Sequence, residues 1–338
     1  MPASADYSQA LPEDLGPDSA DAVRVSTDGA AGLRVDKFLA GAFPDVSRSR
    51  IQQWIALGAV WCDERALLAK TRLSGQETLW VQPLPRDADR AFEPDPVALD
   101  IVAEDSALLV LNKPAGLVVH PAAGNWRNTI LNGLLFHRPD QAKLPRAGIV
   151  HRLDKDTSGL MVVGKTEAAC VALTSQLADR SMSRRYLALV AGKIADSGAV
   201  DAPIGRDPRH RTRMAVVAAG AGRPAATRFR CLARGTIERQ AIALIECALG
   251  TGRTHQIRVH MKHIGHPLLG DAIYQGPALG ITRQALHAWS LGLRDPLDAT
   301  PRYWHADPPD DLQAAARAGA IDLPAQLLRL RAEPVDRT

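Results

Sequence analysis

The sequence predicts an α+β protein built from a small unit followed by a large one. Short apolar strands alternate irregularly with helical segments, which favours a mixed sheet over a doubly wound parallel one. A proline-rich stretch at residues 83–97 separates the two series of elements and is typical of a stiff linker. The length of 338 residues also suits more than one domain, since domains usually hold about 100 to 200 residues.

The composition is that of a globular protein with a basic body. Hydrophobic residues make up 46% of the chain and charged residues 23%, which are ordinary values. The formal net charge is +4, yet the first 21 residues hold five acidic residues and no Lys or Arg. The rest of the chain is therefore more basic than the whole, which indicates an anionic partner such as nucleic acid.

The cysteines and the apolar runs indicate the cellular compartment of the protein. The four cysteines are scattered without a Cys-x-x-Cys pair, which favours buried thiols in a reducing compartment. No basic segment followed by an apolar core marks a secretory signal. No apolar run approaches the roughly 18 to 20 residues that span a bilayer. We expect a cytoplasmic protein that does not bind membranes.

The small unit is expected at residues 31–82, after a flexible acidic tail at residues 1–30 that lacks hydrophobic periodicity. Apolar residues at helical spacing predict one helix from Leu33 and a second after Ser47, whose side chain can cap it. Gly58 is expected to end the second helix. Short apolar runs predict strands at residues 60–62, 66–68 and 78–81.

The large unit is expected at residues 98–318, followed by a C-terminal tail at residues 319–338. Its apolar patterns predict alternating strands and helices. Strands are predicted at residues 108–111, 184–190 and 242–247, and helices at residues 129–137 and 167–178 and within 250–260.

One polar stretch lies between two apolar runs of the large unit. It reads His151-Arg152-Leu153-Asp154-Lys155-Asp156-Thr157-Ser158-Gly159-Leu160, after residues 147–150 and before residues 160–163. An ionisable carboxylate between basic side chains at this place suggests a site held at the end of a strand. The alternative is a solvated ion pair, which contributes little stability.

A second basic segment follows at residues 204–230. It contains one acidic residue, Asp207, against seven arginines. A surface of this kind is better explained by contacts to phosphates than by a solvated face. The seven are Arg206, Arg209, Arg211, Arg213, Arg223, Arg228 and Arg230.

Two other patterns are set aside on physical grounds. Residues 159–166 match the phosphate-loop pattern G-x-x-x-x-G-K-[ST], but the bulky run 160–163 prefers an extended strand to a loop. A nucleotide hydrolase is therefore kept only as the weakest of three functional hypotheses, and the other two follow below. His255, His260, His263 and His266 invite a zinc hypothesis, yet only distant Asp271 could complete a four-ligand set. No metal site is predicted.

The segments of the large unit together carry a family resemblance. The segments are 112–116, His120-Pro121, 151–160, Arg184-Arg185-Tyr186, 222–227 and 252–260. This set resembles the pseudouridine synthases of large-subunit ribosomal RNA, the A/D family, and within it the D-type members. The resemblance runs from about Asn112 to Tyr274. It implies a mixed, largely antiparallel sheet with a central cleft and an isomerase that converts uridine to pseudouridine without cofactor or metal.

The small unit has a resemblance of its own. Its opening, residues 33–39, and the helix that begins Ser47-Arg48-Ser49-Arg50 resemble the RNA-binding domain named after ribosomal small-subunit protein four. The resemblance implies a small α/β RNA-binding domain before the catalytic one. A helical protein-interaction module is the alternative.

The family resemblance also implies roles for individual residues. Asp154 matches the catalytic aspartate, and Arg258 matches the residue that pairs with it. Tyr186 matches the aromatic residue that stacks on the base, and Arg152 matches the residue that fills the gap left by the extruded uridine. Asp156 is expected on another face, so no glycosidase-like pair of carboxylates is predicted.

The implied partner is large-subunit ribosomal RNA or the assembling large subunit, bound by a monomer. The rival hypothesis is a ribosome-assembly factor that binds RNA without catalysis. The set of Asp154, Tyr186 and Arg258 argues against that rival, because binding alone needs no carboxylate inside a basic cleft.

Overall fold

Two compact units make up the chain, with the boundary between Asp89 and Arg90. The computed structural model describes residues 22–62, 67–84, 90–122, 124–210 and 213–333. Both units combine helices with mostly antiparallel sheets, which confirms the predicted α+β class. None of the described helices is long and apolar enough to cross a membrane.

The small unit packs two helices against a three-stranded antiparallel sheet. The elements are β1 (Val23–Ser26), α1 (Val35–Ala42), α2 (Arg48–Ala56), β2 (Val60–Cys62) and β3 (Thr78–Val81), and the strand order is β1-β3-β2. Ser47 caps α2 by accepting a hydrogen bond from the Arg50 amide, as predicted. Leu39, Ile51 and Leu79 are fully buried at the centre of its core.

A buried carboxylate joins the two helices of this unit. Asp36, at the start of α1, is fully buried and accepts hydrogen bonds from Arg34, Arg48 and Gln52 at 2.6 to 3.1 Å. Burial raises the pKa of Asp36, but the hydrogen bonds from Gln52, Arg34 and Arg48 outweigh it and hold the pKa at about 2. The ionised carboxylate thus fixes two partly exposed arginines on one side of the unit.

Two predictions for the small unit need correction. The predicted tail at residues 1–30 ends too late, because β1 pairs with β3 along its whole length. Residues 1–21 of that tail lie outside the described residues. The strand predicted at residues 66–68 is not formed at Leu67 and Leu68, while Ala66 is not described.

The large unit is organised around one large mixed sheet. The strand order is β4-β5-β6-β13-β7-β12-β11-β8, and β14 pairs with β13. Only β6 and β13 run parallel among the neighbouring strands described. The strands are β4 (Ile101–Glu104), β5 (Leu108–Lys113), β6 (Ser158–Gly164), β7 (Ser183–Ala191), β8 (Ser197–Asp201), β11 (Ala226–Ile237), β12 (Gln240–Leu249), β13 (Leu286–Arg294) and β14 (Pro301–His305).

Among the described residues, a hairpin and five α-helices are also part of the large unit. The hairpin joins β9 (Ile204–Arg206) to β10 (Met214–Val216). The helices are α3 (Ile130–His137), α4 (Glu167–Ala178), α5 (Gln256–His263), α6 (Asp310–Ala318) and α7 (Leu323–Ala332). The predicted helices at 129–137 and 167–178 therefore match α3 and α4 closely.

Strand β6 is buried on both faces because helices cover both sides of the sheet at this point. Met161 and Val163 pack with α3, whereas Leu160 and Val162 face a second core that includes Leu173 of α4. All seven residues of β6 are buried. A strand that is covered on both faces has a continuous apolar sequence rather than an alternating one, which explains the run 160–163.

The centre of the sheet is also covered on both faces. Leu187 and Leu189 of β7 pack with residues of α6 and α7. Tyr186, Ala188 and Val190 face the opposite side, in a cluster that includes residues of α5. The alternation along β7 therefore places Tyr186 on the side of the sheet that carries α5.

The predicted boundaries of the large unit differ from the structure at both ends. Residues 90–97, expected in the linker, belong to this unit: Asn132 donates hydrogen bonds to the carbonyls of Ala91 and Glu93. The predicted tail at residues 319–338 contains helix α7, whose buried leucines complete a core cluster. The apolar content of this segment already suggested a helix, but the sequence did not show that the helix packs on the core.

The position of α7 predicts the effect of two leucine substitutions. Leu323 is 1% exposed and Leu328 is 69% exposed on the same helix. We expect Leu323→Ala to lower the free energy of unfolding by about 2 to 5 kcal/mol, because it leaves a cavity in the core. Leu328→Ala is the matched control and should change it by about 0.5 kcal/mol or less. Denaturant unfolding measures both, and equal effects would contradict a packed α7.

Candidate active site

The loop before β6 carries Asp154 in a tight turn. The Thr157 amide donates a hydrogen bond to the Asp154 carbonyl at 3.1 Å, so the chain reverses between these residues before β6 begins. Leu153 is 4% exposed and packs in the same cluster as Tyr186 and Ile257. Beside this buried anchor, Arg152 is exposed and Asp154 is partly buried.

A buried lysine fixes the other side of this loop. Lys113, at the end of β5, donates hydrogen bonds to the carbonyls of Pro114, Leu117 and Lys155 at 2.7 to 2.9 Å. Burial lowers the pKa of Lys113 to about 7, although the charges of Asp156 and Asp154 act in the opposite direction. One ammonium group therefore ties the segment after β5 to the turn that holds Asp154.

Asp154 faces a basic cleft of about 640 Å³. Asp154 is the single carboxylate among the described residues that line this cleft. Because the cleft combines several cations with one carboxylate, it suits an anionic substrate. Its arginines are Arg146, Arg152, Arg180, Arg184, Arg253 and Arg258, and His120, His151 and His255 also line it.

The carboxylate of Asp154 pairs with Arg258 of α5 and not with its near neighbour Arg152. Arg258 Nη1 lies 3.1 Å from Asp154 Oδ2. Among the described residues, Arg152 forms neither a hydrogen bond nor an ion pair, and its side chain is exposed at the cleft. The solvated pair of neighbours that the sequence allowed is therefore not formed.

Arg258 is itself held by a second carboxylate. Its Nε and Nη2 donate to Asp271 at 2.7 and 2.9 Å, and the two side chains are 4% and 1% exposed. The guanidinium also lies over the ring of Tyr274, 5.1 Å from its centroid. Burial lowers the pKa of Arg258, but the hydrogen bonds and charges of Asp271 and Asp154 outweigh it and raise the pKa. Arg258 is thus a permanent cation that points one nitrogen at Asp154.

A histidine and a tyrosine stand beside this pair. His255 precedes α5 in the left-handed backbone region, with φ of 58°, and its Nε2 lies 4.0 Å from Asp154 Oδ2. His255 Nδ1 and the Tyr274 hydroxyl are 2.8 Å apart, and this hydroxyl accepts a hydrogen bond from the Met214 amide. Burial is the largest cause that lowers the pKa of His255. A neutral imidazole therefore faces the carboxylate at neutral pH.

Tyr186 lies in the wall of the same cleft. It is 6% exposed on β7, and burial raises the pKa of its phenol, so the ring is neutral. The structure thus brings Asp154, Arg258, Tyr186 and Arg152 to one cleft from three separate segments of the chain. Asp156 does not line it, and the Asp156 carbonyl instead accepts a hydrogen bond from Arg283.

Sequence reasoning missed three residues that support the site. Lys113 was seen only as part of a motif, and Asp271 only as a distant zinc ligand. Tyr274 was not singled out. Asp271 lies 13 residues after Arg258, a separation without a helical or strand period, so nothing in the sequence indicated their contact. The burial of Asp271 was equally hidden.

The structure assigns other roles to the residues of the zinc hypothesis. His260 lies 2.9 Å from the Thr227 hydroxyl and 3.0 Å from the Ala202 carbonyl, and His266 lies 2.9 Å from the Ala191 carbonyl. These histidines are held by separate backbone and side-chain partners. Within the described ranges, no three His, Cys, Asp or Glu side chains are grouped so that they could hold a metal ion.

The residues of the phosphate-loop pattern form strand β6 and its end. Gly159 has φ of 112°, and a Cβ atom there would lie 2.2 Å from the Ala288 carbonyl oxygen of β13. Lys165 donates a hydrogen bond to Glu104 at 2.7 Å. The glycine thus allows close packing of two strands, and the pattern has no phosphate-binding geometry.

The arginine-rich segment at residues 204–230 is only partly available to a ligand. Arg230 forms ion pairs with Glu246 at 2.7 Å and with Glu333 at 2.5 Å. Arg211 lies outside the described residues. The ratio of seven arginines to one acid therefore overstated the number of unpaired positive charges in this segment. Glu246, one partner of Arg230, lies 16 residues further along the chain and was not counted. Contact of this segment with RNA stays a prediction.

Comparison with known proteins places these features in a family. The family model described as RNA pseudouridylate synthase matches residues 107–263, which include Asp154, Tyr186 and Arg258. The chain is 47% identical over 300 residues to a protein of Nitrosomonas europaea named ribosomal large subunit pseudouridine synthase D, with 86% of each chain covered. A protein of the same name from Neisseria meningitidis is 48% identical over 295 residues, which cover 83% of this chain and 77% of the relative.

A solved structure shows the same relationship. Human RNA pseudouridylate synthase domain containing 1 superposes with a TM-score of 0.55 at 25% identity, over 72% of this chain and 98% of that one. The identities to the bacterial relatives extend over most of this chain. The chain belongs to the RNA pseudouridylate synthase family.

Proposed function

We propose that this protein isomerises specific uridines of large-subunit ribosomal RNA to pseudouridine, with Asp154 as its catalytic carboxylate. The observation that carries the proposal is the ion pair of Asp154 with a buried Arg258 in a cleft whose described lining has no other carboxylate. The names of the bacterial relatives supply the class of RNA. The family supplies the type of reaction, an isomerisation.

The reaction is an isomerisation, so the substrate and the product contain the same atoms. It requires one carboxylate. The bond from N1 of uracil to C1′ of the ribose breaks, the base turns, and C5 bonds to the same C1′. The proton on C5 leaves, and N1 gains a proton. Asp154 either attacks C1′ or removes the 2′ proton to give a glycal, and both routes begin with an ionised carboxylate.

Arg258 serves this chemistry by holding the carboxylate of Asp154 in place. Its planar group is fixed by two bonds to Asp271, so the remaining nitrogen has a defined direction toward Asp154. A guanidinium that is already oriented does not need to reorganise during the reaction, which is how preorganised charges stabilise transition states. His255 and Tyr274 close the other side of the carboxylate.

Tyr186 and Arg152 are proposed to hold the extruded uridine. A base must leave its stack before it reaches Asp154, which costs a few kcal/mol. Stacking on the buried ring of Tyr186 offsets part of that cost, since such stacking is worth about 1 to 3 kcal/mol per base. Arg152 is exposed and unpaired among the described residues, so it can enter the gap that the uridine leaves.

The small unit is proposed to add RNA affinity. Buried Asp36 fixes Arg34 and Arg48, whose side chains are 41% and 48% exposed. Fixed, partly exposed guanidinium groups lose less entropy when they bind a phosphate. We further propose that the protein works as a cytoplasmic monomer on ribosomal RNA or on the assembling large subunit.

The first prediction concerns Asp154. We expect Asp154→Asn to remove detectable pseudouridine formation, because the amide can neither attack C1′ nor accept the 2′ proton. RNA affinity should stay within about threefold, since one side chain of the cleft changes little in size. Chemical mapping of pseudouridine in ribosomal RNA and a binding titration measure the two effects. Asp156→Asn is the matched control and should keep its activity.

A second prediction concerns the orientation of Arg258. Arg258→Lys keeps the charge but cannot bind two carboxylates with a planar fork. We expect kcat to fall about 100-fold, since small misplacements of a catalytic group have effects of this size. Asp271→Asn should also lower kcat, because it weakens the support of Arg258 while leaving the Asp154 contact. Single-turnover kinetics that show near-normal rates for both variants would rule out this arrangement.

A third prediction concerns the small unit. Deletion of residues 1–89 should weaken RNA binding and reduce its dependence on salt, because fewer phosphates are neutralised. The chemical step at saturating RNA should change less than the affinity, since the cleft lies wholly within the large unit. Binding titrations at several salt concentrations measure this. An unchanged salt slope would mean that the small unit does not touch phosphates.

A further inference from the structure

One buried cation of the cleft has no partner among the described residues. Arg184 lies on β7 and is 7% exposed, and its Nε has no hydrogen-bond partner. No hydrogen bond or ion pair joins any part of its guanidinium to the described residues. Arg184 nevertheless lines the cleft that contains Asp154.

The other buried cations of the described chain are all satisfied. Lys113 donates to three carbonyls, and Arg258 binds Asp154 and Asp271. Arg185, the next residue on β7, faces the opposite side and lies 3.5 Å from Glu246. An unpaired buried charge costs several kcal/mol of folding free energy, so an Arg at position 184 calls for a partner from outside the protein.

The surroundings of Arg184 leave room for such a partner. The residue next to its tip is Gly252, in the segment between β12 and α5, and a Cβ there would lie 2.8 Å from Arg184 Nη1. Because Gly252 has no side chain, it leaves space beside the guanidinium of Arg184. His151 and Tyr186, whose pKa values respond to the charge of Arg184, are themselves neutral. The described cleft lining provides no carboxylate within ion-pair distance of Arg184.

We propose that Arg184 binds a phosphate of the RNA strand next to the extruded uridine. This inference rests on the proposed function, because it takes RNA as the substrate. A buried guanidinium needs a full negative charge, and phosphate offers that charge together with two oxygens for a bidentate bond. A uracil carbonyl is neutral and leaves the charge unpaired.

The spacing along β7 supports a phosphate over a base. Arg184 and Tyr186 are two residues apart on the same face of the strand, which separates their Cα atoms by about 7 Å. This is comparable to the distance between the base and the phosphate within one nucleotide. A uridine stacked on Tyr186 would thus carry its backbone toward Arg184. Arg184 is a substrate-positioning residue in this arrangement.

The test replaces phosphates one at a time. A stem-loop of large-subunit ribosomal RNA with a mapped target uridine is made with a single neutral methylphosphonate at each linkage around that uridine. Binding is measured with full-length protein in the Asp154→Asn background, so that no RNA is converted. We expect one linkage at which the substitution weakens binding by about 10- to 100-fold.

Two arginine variants then test whether Arg184 is the residue that contacts the phosphate at that linkage. Arg184→Gln should weaken binding of unmodified RNA by a similar factor and should lose sensitivity at that linkage alone. Arg180→Gln is the matched control, since it removes one exposed charge from the same cleft. This control should stay sensitive at that linkage. A parent-like profile in Arg184→Gln would overturn the proposal.

A stability measurement separates this role from a structural one. Arg184→Met removes an unpaired buried charge, so the melting temperature of the RNA-free protein should rise while RNA affinity falls. A lower melting temperature together with an unchanged linkage profile would assign Arg184 to the fold. If Arg184→Met does not fold, Arg184→Lys provides the same test: it should bind RNA with intermediate affinity and stay sensitive at the same linkage.

Pseudouridine formation on the unmodified RNA is measured in parallel with Asp154 restored. Linkage-specific binding through Arg184 without pseudouridine formation would contradict the proposed function and leave the phosphate contact intact. Turnover by the wild-type protein with no linkage specific to Arg184 would contradict the phosphate contact alone.

Discussion

The interaction on which the site depends is the placement of one guanidinium between two carboxylates. Arg258 binds Asp271 through two nitrogens in the interior and presents a third nitrogen to Asp154 at the cleft. Such a buried ion pair contributes little net stability, because desolvation opposes the attraction. The pair instead fixes orientation: Asp271 orients the guanidinium of Arg258, and this guanidinium orients the carboxylate of Asp154.

The fold surrounds this interaction with rigid supports. Asp154 lies in a turn that is fixed by the start of β6, by the buried side chain of Leu153 and by the Lys113 ammonium. Strand β6 is buried on both faces, so its position is determined by two cores at once. The parallel pairing with β13 depends on Gly159, which has no Cβ to keep the strands apart. A carboxylate held in this way can act on a substrate without first being ordered.

The positive charges of the cleft lower the stability of the folded protein. It combines six arginines with one carboxylate, and Arg184 is buried without a partner among the described residues. Like charges at short range repel one another, and an RNA phosphate relieves that repulsion when it enters. In the small unit the repulsion between Arg34 and Arg48 is reduced by the protein itself, because the ionised Asp36 binds both guanidinium groups. The two units thus present cations in distinct ways.

Local patterns in the sequence predicted many of the elements and pointed to the candidate site residues. Apolar residues at helical spacing and continuous apolar runs predicted α1, α2, α3, α4, β6 and β7, and the motifs around Asp154, Tyr186 and Arg258 pointed to one family. The family resemblance implied that Arg258 pairs with Asp154, and the tertiary structure shows how this contact forms between residues 104 positions apart. Only the tertiary structure decided that α7 is packed, that Asp271 supports Arg258 and that Arg184 is left unpaired. Burial and long-range pairing result from the packing of distant segments, and no local pattern encodes them.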